Sequence, residues 1–257
     1  MLLSRARPGS HRRVSATSFV TSLAALLVTG CAFADDPPAI ATDRPSVTDS
    51  SVVVPVGSLQ FENGFTDTVG NIDGPENLVR FGVASKTELR LTTPDYFSNV
   101  GFGDFAFGIK QQLGPTLGGF DVSLVLTLSF PTGARLASSH GYDPSLQLPW
   151  SHAISSKWTA AGMLSTYFPT QGDRRNITGE TTFLLDRTLT GQWDAFLEYA
   201  GDFPERGGPR HLAHAGTSYR PTPRQQVDVH VGVGVSRAAP HHFVGVGYSF
   251  RWQALKR

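Results

Sequence analysis

The final strand of the chain constrains its fold more tightly than any other stretch. Large apolar residues alternate along it with small or polar ones: Val244, Val246, Tyr248, Phe250 and Trp252 against Gly245, Gly247, Ser249 and Arg251. Successive side chains of a strand point to opposite faces, so this strand has one apolar face and one small or polar face. A chain that ends on such an aromatic-tipped strand is typical of a transmembrane β-barrel of the bacterial outer membrane.

The spacing Gly245-x-x-Tyr248-x-Phe250 resembles the C-terminal signal that barrel-assembly machinery recognises. Two features depart from that signal: Phe243 stands where a polar residue is usual, and a short tail, residues 253–257, follows the strand. The resemblance implies that the barrel-assembly machinery is a partner of this chain through its C-terminal strand.

The same period-two alternation recurs along the chain and predicts an all-β fold. Polar residues oppose apolar ones, which is the signal of a half-buried strand. About twelve antiparallel strands are expected between residues 57 and 252, at 59–66, 78–83, 88–91, 104–110, 121–130, 146–150, 158–168, 177–186, 193–199, 211–220, 227–236 and 243–252. An even number suits a bacterial barrel. Periodicity alone would also allow an open sheet or a sandwich.

The connections between these strands indicate a barrel topology. The even-numbered ones are mostly short, whereas the odd-numbered ones, such as Val69–Pro75 and Pro131–Pro144, are longer and more polar. Short periplasmic turns that alternate with longer external loops are characteristic of outer-membrane barrels, and they would place both termini in the periplasm. Trp150, Trp158 and Trp252 would then lie near the periplasmic rim as part of an aromatic girdle.

The N-terminus has the pattern of an export signal over residues 1–34. Four arginines precede an apolar stretch, and Ala32-Phe33-Ala34 offers a cleavage site. Val28-Thr29-Gly30-Cys31 resembles a lipoprotein box, which leaves open whether Cys31 is removed or lipidated. Cleavage after Ala34 would remove the only cysteine, as suits an oxidising compartment.

Charge and hydropathy exclude two classes of protein. The full chain carries a net charge of +1, and loss of the leader with its four arginines leaves 18 basic against 21 acidic residues, a net charge of −3. No basic run remains, so nucleic acid is not an expected partner. After the leader no apolar run is long enough for a transmembrane helix.

Several motifs resemble a known bacterial family. The chain contains Thr42-Asp43-Arg44-Pro45, Val54-Pro55-x-Gly57, Ser85-Lys86-Thr87-Glu88-Leu89-Arg90-Leu91, Gly101-Phe102-Gly103-Asp104 and Leu128-Ser129-Phe130-Pro131-Thr132-Gly133. These stretches resemble proteins labelled "transporter" or "putative MetA-pathway of phenol degradation". The resemblance covers most of the chain after the leader, and it implies an outer-membrane barrel with a transport activity.

Strand parity predicts a set of polar side chains inside the barrel. They are Glu62, Arg80, Glu88, Arg90, Asp104, Lys110, Asp121, Glu180, Asp186, Asp194, Glu198, Asp228 and His230. A mixed-charge constriction of this kind would filter permeating solutes. The alternative is a salt-bridged filling that closes a small barrel, since a barrel of about twelve strands is intermediate in size between filled eight-stranded and open sixteen-stranded barrels.

Residues 35–56, with the motif Asp43-Arg44-Pro45, lack alternation and are punctuated by proline and aspartate. We expect an extended N-terminal periplasmic segment before the barrel. It either folds into the lumen or over its mouth, or it is a leader without fixed structure.

No constellation for catalysis, a cofactor or a metal is expected. His211 with His214, and His241 with His242, lie close in sequence but have no carboxylates at metal-ligand spacing. A barrel hydrolase would need a serine beside His152, and none is identifiable. The sequence therefore favours a monomeric, non-enzymatic outer-membrane channel that contacts lipid and passes small solutes, including hydrophobic or aromatic ones. A closed structural or surface-interaction barrel is the alternative.

Overall fold

The computed structural model describes residues 38–69, 71–97, 100–116 and 118–255. The export signal and Cys31 lie outside these residues. Twelve long strands form the wall: β1 Ser58–Thr68, β2 Asn71–Ala84, β3 Thr87–Thr93, β4 Phe105–Gln112, β5 Phe120–Phe130, β6 Asp143–Ala153, β7 Trp158–Tyr167, β8 Thr178–Thr190, β9 Trp193–Pro204, β10 Arg210–Thr222, β11 Gln225–Gly234 and β12 His242–Gln253.

The strands close on themselves as an antiparallel barrel. Each strand pairs with its neighbour in sequence, and β1 pairs with both β2 and β12. The closing register sets Phe61 opposite Phe250, whose rings stack 5.0 Å apart. The predicted all-β barrel of about twelve strands is therefore confirmed, and the last strand of the sequence is the one that closes it. Within the described residues no helix is long and apolar enough to cross a membrane.

The two faces of the wall differ as the alternation predicts. Every strand exposes a large apolar side chain on its outer face, where lipid would contact it: Phe65, Val83, Leu91, Phe107, Leu126, Leu148, Leu164, Phe183, Leu197, Tyr219, Val229 and Val246. The inner face carries most of the buried polar and charged side chains. This inside-out distribution is expected of a barrel whose solvent on the outside is hydrocarbon.

Four connections, at residues 85–86, 154–157, 191–192 and 223–224, are short turns at the end of the barrel where β1 begins and β12 ends. We call this the periplasmic end and the opposite one the external end. Trp150, Trp158, Trp193 and Trp252 all lie close to the periplasmic end of their strands. Residues 131–142, between β5 and β6, form the longest external connection.

The prediction of a long loop over Val69–Pro75 is wrong. Only residues 69 and 70 separate β1 from β2 in the sequence, because β2 extends to Asn71 beyond an irregularity. Gly64 pairs with Glu76 and Thr66 with Asp73, so Gly74 and Pro75 form a bulge opposite Phe65. A bulge accommodates a proline that cannot donate to the ladder, and it also breaks the alternation that would have indicated the strand.

The boundaries at the chain end also differ slightly from expectation. Gln253 is the last residue of β12, not the first of the tail. The backbone amides of Ala254 and Leu255 then donate to the carbonyl of Gly57, which ties the tail to the start of β1.

Candidate functional site

Residues 38–57, here called the lumen segment, run inside the barrel. The backbone amide of Val54 donates to Glu88 of β3 (2.7 Å), and the amide of Thr48 donates to Glu198 of β9 (2.8 Å). The hydroxyl of Ser51 contacts that of Ser151 on β6 (2.7 Å). These inward-facing partners belong to strands on different sides of the barrel. A segment that reaches all of them at once must pass through the lumen.

The lumen segment enters and leaves at the periplasmic end. The amide of Ile40 donates to Pro223 in the turn between β10 and β11, and Val56 bridges to Gly82 of β2. Between these points the chain folds back on itself, and Asp43 accepts a hydrogen bond from the amide of Ser50 (2.9 Å). Gly57 then reverses the chain into β1 with a positive φ of 74°, a conformation that glycine adopts without strain.

Of the alternatives left open for residues 35–56, the one in which the segment folds into the lumen is the one found for residues 38–56, so the expectation of an extended periplasmic segment is corrected there. Sequence alternation could not reveal this, because the segment's backbone pairs mainly with side chains of the wall and not with a neighbouring strand. Buried backbone groups need partners, and the carboxylates of the lumen supply them.

Asp43 lies in the centre of three basic side chains, here called the cation cluster. Its carboxylate is 3.2 Å from Nη1 of Arg80, 2.5 Å from Nη1 of Arg90 and 3.1 Å from Nζ of Lys110. The three cations converge because β2, β3 and β4 are consecutive strands and all three residues share the inward parity. Arg80 pairs with Arg90 in register, and Glu88 pairs with Lys110.

Acidic residues of the wall and the segment balance the cation cluster. Arg80 contacts Glu62 (2.9 Å) and Glu88 (2.8 Å), and Asp49 of the lumen segment lies 3.1 Å from Arg90. Removing one partner of a buried ion pair typically costs about 3–5 kcal/mol, because the other charge stays buried without compensation. The lumen segment supplies two of the four carboxylates in this network, so its position and the charge balance of the wall are coupled.

Arg44 anchors the lumen segment to the wall formed by β1, β2, β11 and β12. Its guanidinium pairs with Glu76 and lies 3.5 Å from Asp228. Glycines make room for it: a Cβ added to Gly64 would come within 2.1 Å of the guanidinium carbon, and one added to Gly247 within 2.6 Å of Nε. The small-residue face of the last strand is thus the face on which this arginine lies.

Glu198 holds the bend at residues 45–48 of the lumen segment, here called the inner turn, from the wall opposite the cation cluster. It accepts hydrogen bonds from the amide of Val47 (2.9 Å), and from the amide (2.8 Å) and hydroxyl (2.6 Å) of Thr48. Its other contact is Nδ1 of His214 (2.7 Å), and Nε2 of His214 is 3.0 Å from Nδ1 of His230. A chain of polar contacts therefore connects Glu198 with the neighbourhood of Arg44.

A cavity of about 340 Å³ remains between the lumen segment and the wall of β6 to β10. Leu184, Phe196 and Ala161 give it an apolar part, whereas Asp186, Asp194 and Arg220 give it a charged part nearer the periplasmic end. Ligand pockets typically begin at about 300 Å³, so the space is large enough for one small solute.

Most of the side chains that parity predicts for the lumen contact the lumen segment directly: Glu62, Arg80, Glu88, Arg90, Lys110, Glu198, Asp228 and His230. Asp194 pairs with Arg220, and Asp186 lines the cavity. Glu180 accepts a hydrogen bond from the Tyr167 hydroxyl near the external end (3.0 Å). Asp121 is half-buried at the start of β5.

Asp104 does not lie on a strand, because β4 begins one residue later. Its carboxylate accepts hydrogen bonds from the amides of Gly133 (2.8 Å) and Ser139 (2.9 Å) in the external loop between β5 and β6. Partial burial raises the pKa of Asp104, but these amide donors outweigh it and hold the pKa below its ordinary value of 3.8. The expected role in a lumen constriction is corrected to that of a loop anchor.

Sequence reasoning missed several polar contributors to the site, among them Thr48, Asp49, Glu76 and His214. Glu76 was obscured by the bulge in β2. His214 pairs in register with Glu198 across β9 and β10, so correct strand pairing would have identified it. The other two lie on the lumen segment, where no periodicity indicates which side chains face the wall.

Two of the other histidines have local partners. His211 contacts the Tyr199 hydroxyl (2.7 Å), and His152 contacts the carbonyl of Gly119 (3.2 Å) and stacks on Phe120. Over the described ranges, no group of three or more histidine, cysteine or acidic side chains is arranged to hold a metal ion.

The barrel is similar to solved outer-membrane proteins. An outer membrane channel from Pseudomonas putida F1 has a TM-score of 0.60 at 11% identity, over 79% of this chain and 98% of that one. The KdgM porin has a TM-score of 0.57 at 15% identity, and the NanC porin 0.57 at 9% identity, each over 75% of this chain and 98% of its own. At such identities the likeness establishes an outer-membrane barrel fold. No curated protein matches the chain in sequence.

The family resemblance expected from the motifs is confirmed by a match over residues 42–252. The match begins inside the lumen segment and ends in the closing strand, so it spans both the barrel wall and most of the segment within it. The chain belongs to the bacterial protein family described as "Putative MetA-pathway of phenol degradation".

Proposed function

We propose that this protein is a passive channel for small solutes in the outer membrane, and that the lumen segment is its gate. The observation that carries the proposal is that polar and charged contacts, and not apolar packing, hold the lumen segment in the barrel. The wall beneath the lumen segment is polar and charged around most of its circumference, and glycines at Gly64, Gly82 and Gly247 give the segment its space. A wall lined in this way remains compatible with water once the segment leaves.

The energetics of the contacts also favour a movable closure. Ion pairs and hydrogen bonds inside a protein contribute little net free energy relative to solvated groups, whereas buried apolar surface contributes about 25 cal/mol per Å². The lumen segment is held mainly by the first kind of contact, with Ile40 and Val54 as its only fully buried large apolar side chains among residues 38–57. Solvent and a permeating solute can replace such contacts at moderate cost.

The cavity beside the lumen segment supports a small permeant with an apolar part. Its apolar lining from Leu184 and Phe196 lies next to charged residues, which suits a small hydrophobic or aromatic molecule that carries a polar group. The description of the family, which refers to phenol degradation, and the channel and porin functions of the structural relatives are in keeping with this class of solute.

The experiment is single-channel recording in a planar bilayer with the refolded chain that begins at Asp35, compared with a chain that also lacks residues 38–56. Heat-modifiable gel mobility verifies beforehand that each barrel has folded. We expect brief, small openings from the longer chain and steady, larger openings from the shorter one. Silent membranes from both folded barrels would contradict a channel and favour a closed structural barrel.

A further inference from the structure

The cation cluster is a ready-made carboxylate site that the protein occupies with its own side chain. Three cations from three consecutive strands surround the single carboxylate of Asp43. Arg80 and Lys110 are fully buried and Arg90 is 8% exposed, so these groups have left bulk water. Such a set of donors stabilises a negative charge strongly, because charged hydrogen bonds are strengthened where the surroundings exclude water.

The charge balance of the cation cluster favours an anion at this position. Glu62 and Glu88 of the wall carry two negative charges against the three positive charges of the cation cluster. Both contact Arg80, and Glu88 also lies 3.2 Å from Arg90. If the lumen segment leaves, it takes Asp43 and Asp49 with it, and the cation cluster with its two wall carboxylates retains one unmatched positive charge. Arg44 leaves as well, so Glu76 and Asp228 lose its guanidinium on another part of the wall. An anion from solution that takes the place of Asp43 restores a partner to these cations, so its binding makes opening more favourable. One remaining positive charge matches a monoanion.

The cavity offers space for the apolar part of that anion, next to the site for its charge. Asp49 and Ser50 line the cavity on one side of the lumen segment. On the other side, Asp49 contacts Arg90 and the carbonyl of Ser50 accepts a hydrogen bond from Lys110 (2.7 Å). This stretch of the segment therefore lies between the cavity and the cation cluster. Displacing it joins an apolar space lined by Phe196 and Leu184 to a carboxylate site.

We propose that the cation cluster binds a carboxylate-bearing permeant, an aromatic or similarly small apolar monocarboxylate, and that Asp43 is its built-in competitor. The permeant displaces Asp43 and thereby releases the lumen segment. That the bound anion is a permeant rests on the proposed channel function. The binding site itself rests on the contacts of Asp43 alone.

The test is chemical rescue of an Asp43→Ala variant. Thermal unfolding is followed by heat-modifiable gel mobility in the presence of acetate or benzoate, and of their neutral counterparts acetamide and benzamide at equal concentration. We expect the variant to unfold at a lower temperature than the parent protein. At ten times the dissociation constant a bound carboxylate should raise that temperature by about 3–5 °C, whereas the amides should not. The parent protein should respond weakly, because its site is occupied.

Asp143→Ala is the matched control. Asp143 also pairs with an arginine, Arg175, but it does so at the external end of the barrel and away from the cation cluster. Rescue confined to Asp43→Ala and to carboxylates supports the proposal. Equal rescue by amides or of the control, or no rescue of a folded Asp43→Ala variant, overturns it. If that variant does not refold alone, its refolding yield is compared in benzoate and in benzamide. A higher yield in benzoate supports the proposal, and equal yields overturn it.

Potassium chloride conductance separates this inference from the proposed function. An Asp43→Ala barrel that conducts but shows no carboxylate-specific rescue overturns the binding site and leaves the channel standing. An Asp43→Ala barrel that is rescued by carboxylates but never conducts retains the site and contradicts its use by a permeant.

Discussion

Thr48 and Glu198 are joined by two hydrogen bonds, from the amide at 2.8 Å and from the hydroxyl at 2.6 Å. Thr48 lies at the inner turn of the lumen segment, and Glu198 projects inward from β9. The two residues are 150 positions apart in sequence. This contact holds the inner turn against the wall that faces the cation cluster, and it makes Glu198 the clearest single point at which the closure can be weakened.

Replacing Glu198 with alanine should favour the open channel. Hydrogen bonds to a charged group contribute about 1.5–3 kcal/mol each, so losing this acceptor should raise the open probability by at least about tenfold. Single-channel recording measures that change. Glu180→Ala is the control, because Glu180 is another lumen acid whose hydrogen bond goes to Tyr167 and not to the segment. An unchanged open probability in Glu198→Ala would contradict the role of this contact.

Replacing Gly82 with alanine should push the lumen segment out of place. A Cβ at Gly82 would lie 2.3 Å from the carbonyl oxygen of Pro55 and 2.4 Å from that of Val54, so backbone must shift. We expect faster hydrogen exchange of the amides in residues 47–54, measured by mass spectrometry. Gly179→Ala is matched to it, since that glycine also lies in a strand but nothing is within 4 Å of an added Cβ. Equal exchange in the two variants would show that the segment tolerates the clash.

Replacing Arg80 with glutamine should destabilise the barrel. The change leaves Glu62 and Glu88 buried beside a neutral side chain, at a cost of about 3–5 kcal/mol. Urea-induced unfolding in detergent measures the loss. Adding Glu88→Gln to the same chain should recover part of it, because one uncompensated charge is removed with its partner. A double variant less stable than Arg80→Gln would indicate that the two residues are not coupled in this way.

The external loop of residues 131–142 should loosen in acid. The pKa of Asp104 is lowered in the folded protein, so its contribution to stability is complete above the ordinary value of 3.8 and is lost as the pH falls through the lower, folded value. Pepsin remains active at such pH and should cut near Leu136 faster as Asp104 is protonated. The Asp104→Asn variant should be cut readily at every pH in this range, so its cleavage rate should depend less on pH. Identical pH profiles for the two proteins would exclude Asp104 as the anchor.

Sequence pattern predicted the wall of the barrel better than its interior. Strands such as β5, β11 and β12 have a clear alternation, interrupted on the lumen face only by Val125 in β5 and Phe243 in β12, and that alternation separates the lipid face from the lumen face. β2 lost its external half in the prediction because Gly74 and Pro75 interrupt the pattern at a bulge. A shift of one residue at the start of β4 was enough to change Asp104 from a lumen side chain into a loop anchor.

The lumen segment was recognisable as unusual, but its partners were not predictable. Its motif Asp43-Arg44-Pro45 stood out in the sequence, and strand parity predicted Arg80, Arg90 and Lys110 for the lumen. What joins them is the convergence of three strands with a segment that makes no ladder of its own. Such contacts depend on the closed barrel as a whole, so local sequence patterns do not predict them.

The most direct test of the account is a reversible lock between the lumen segment and the wall. The hydroxyls of Ser51 and Ser151 are 2.7 Å apart, so a Ser51→Cys, Ser151→Cys chain that begins at Asp35 should form a disulfide. With the bond verified by thiol titration, the oxidised barrel should be silent in a planar bilayer, and a reductant should restore its openings. An oxidised, verifiably crosslinked barrel that conducts as well as the reduced one would contradict the claim that this segment is the gate.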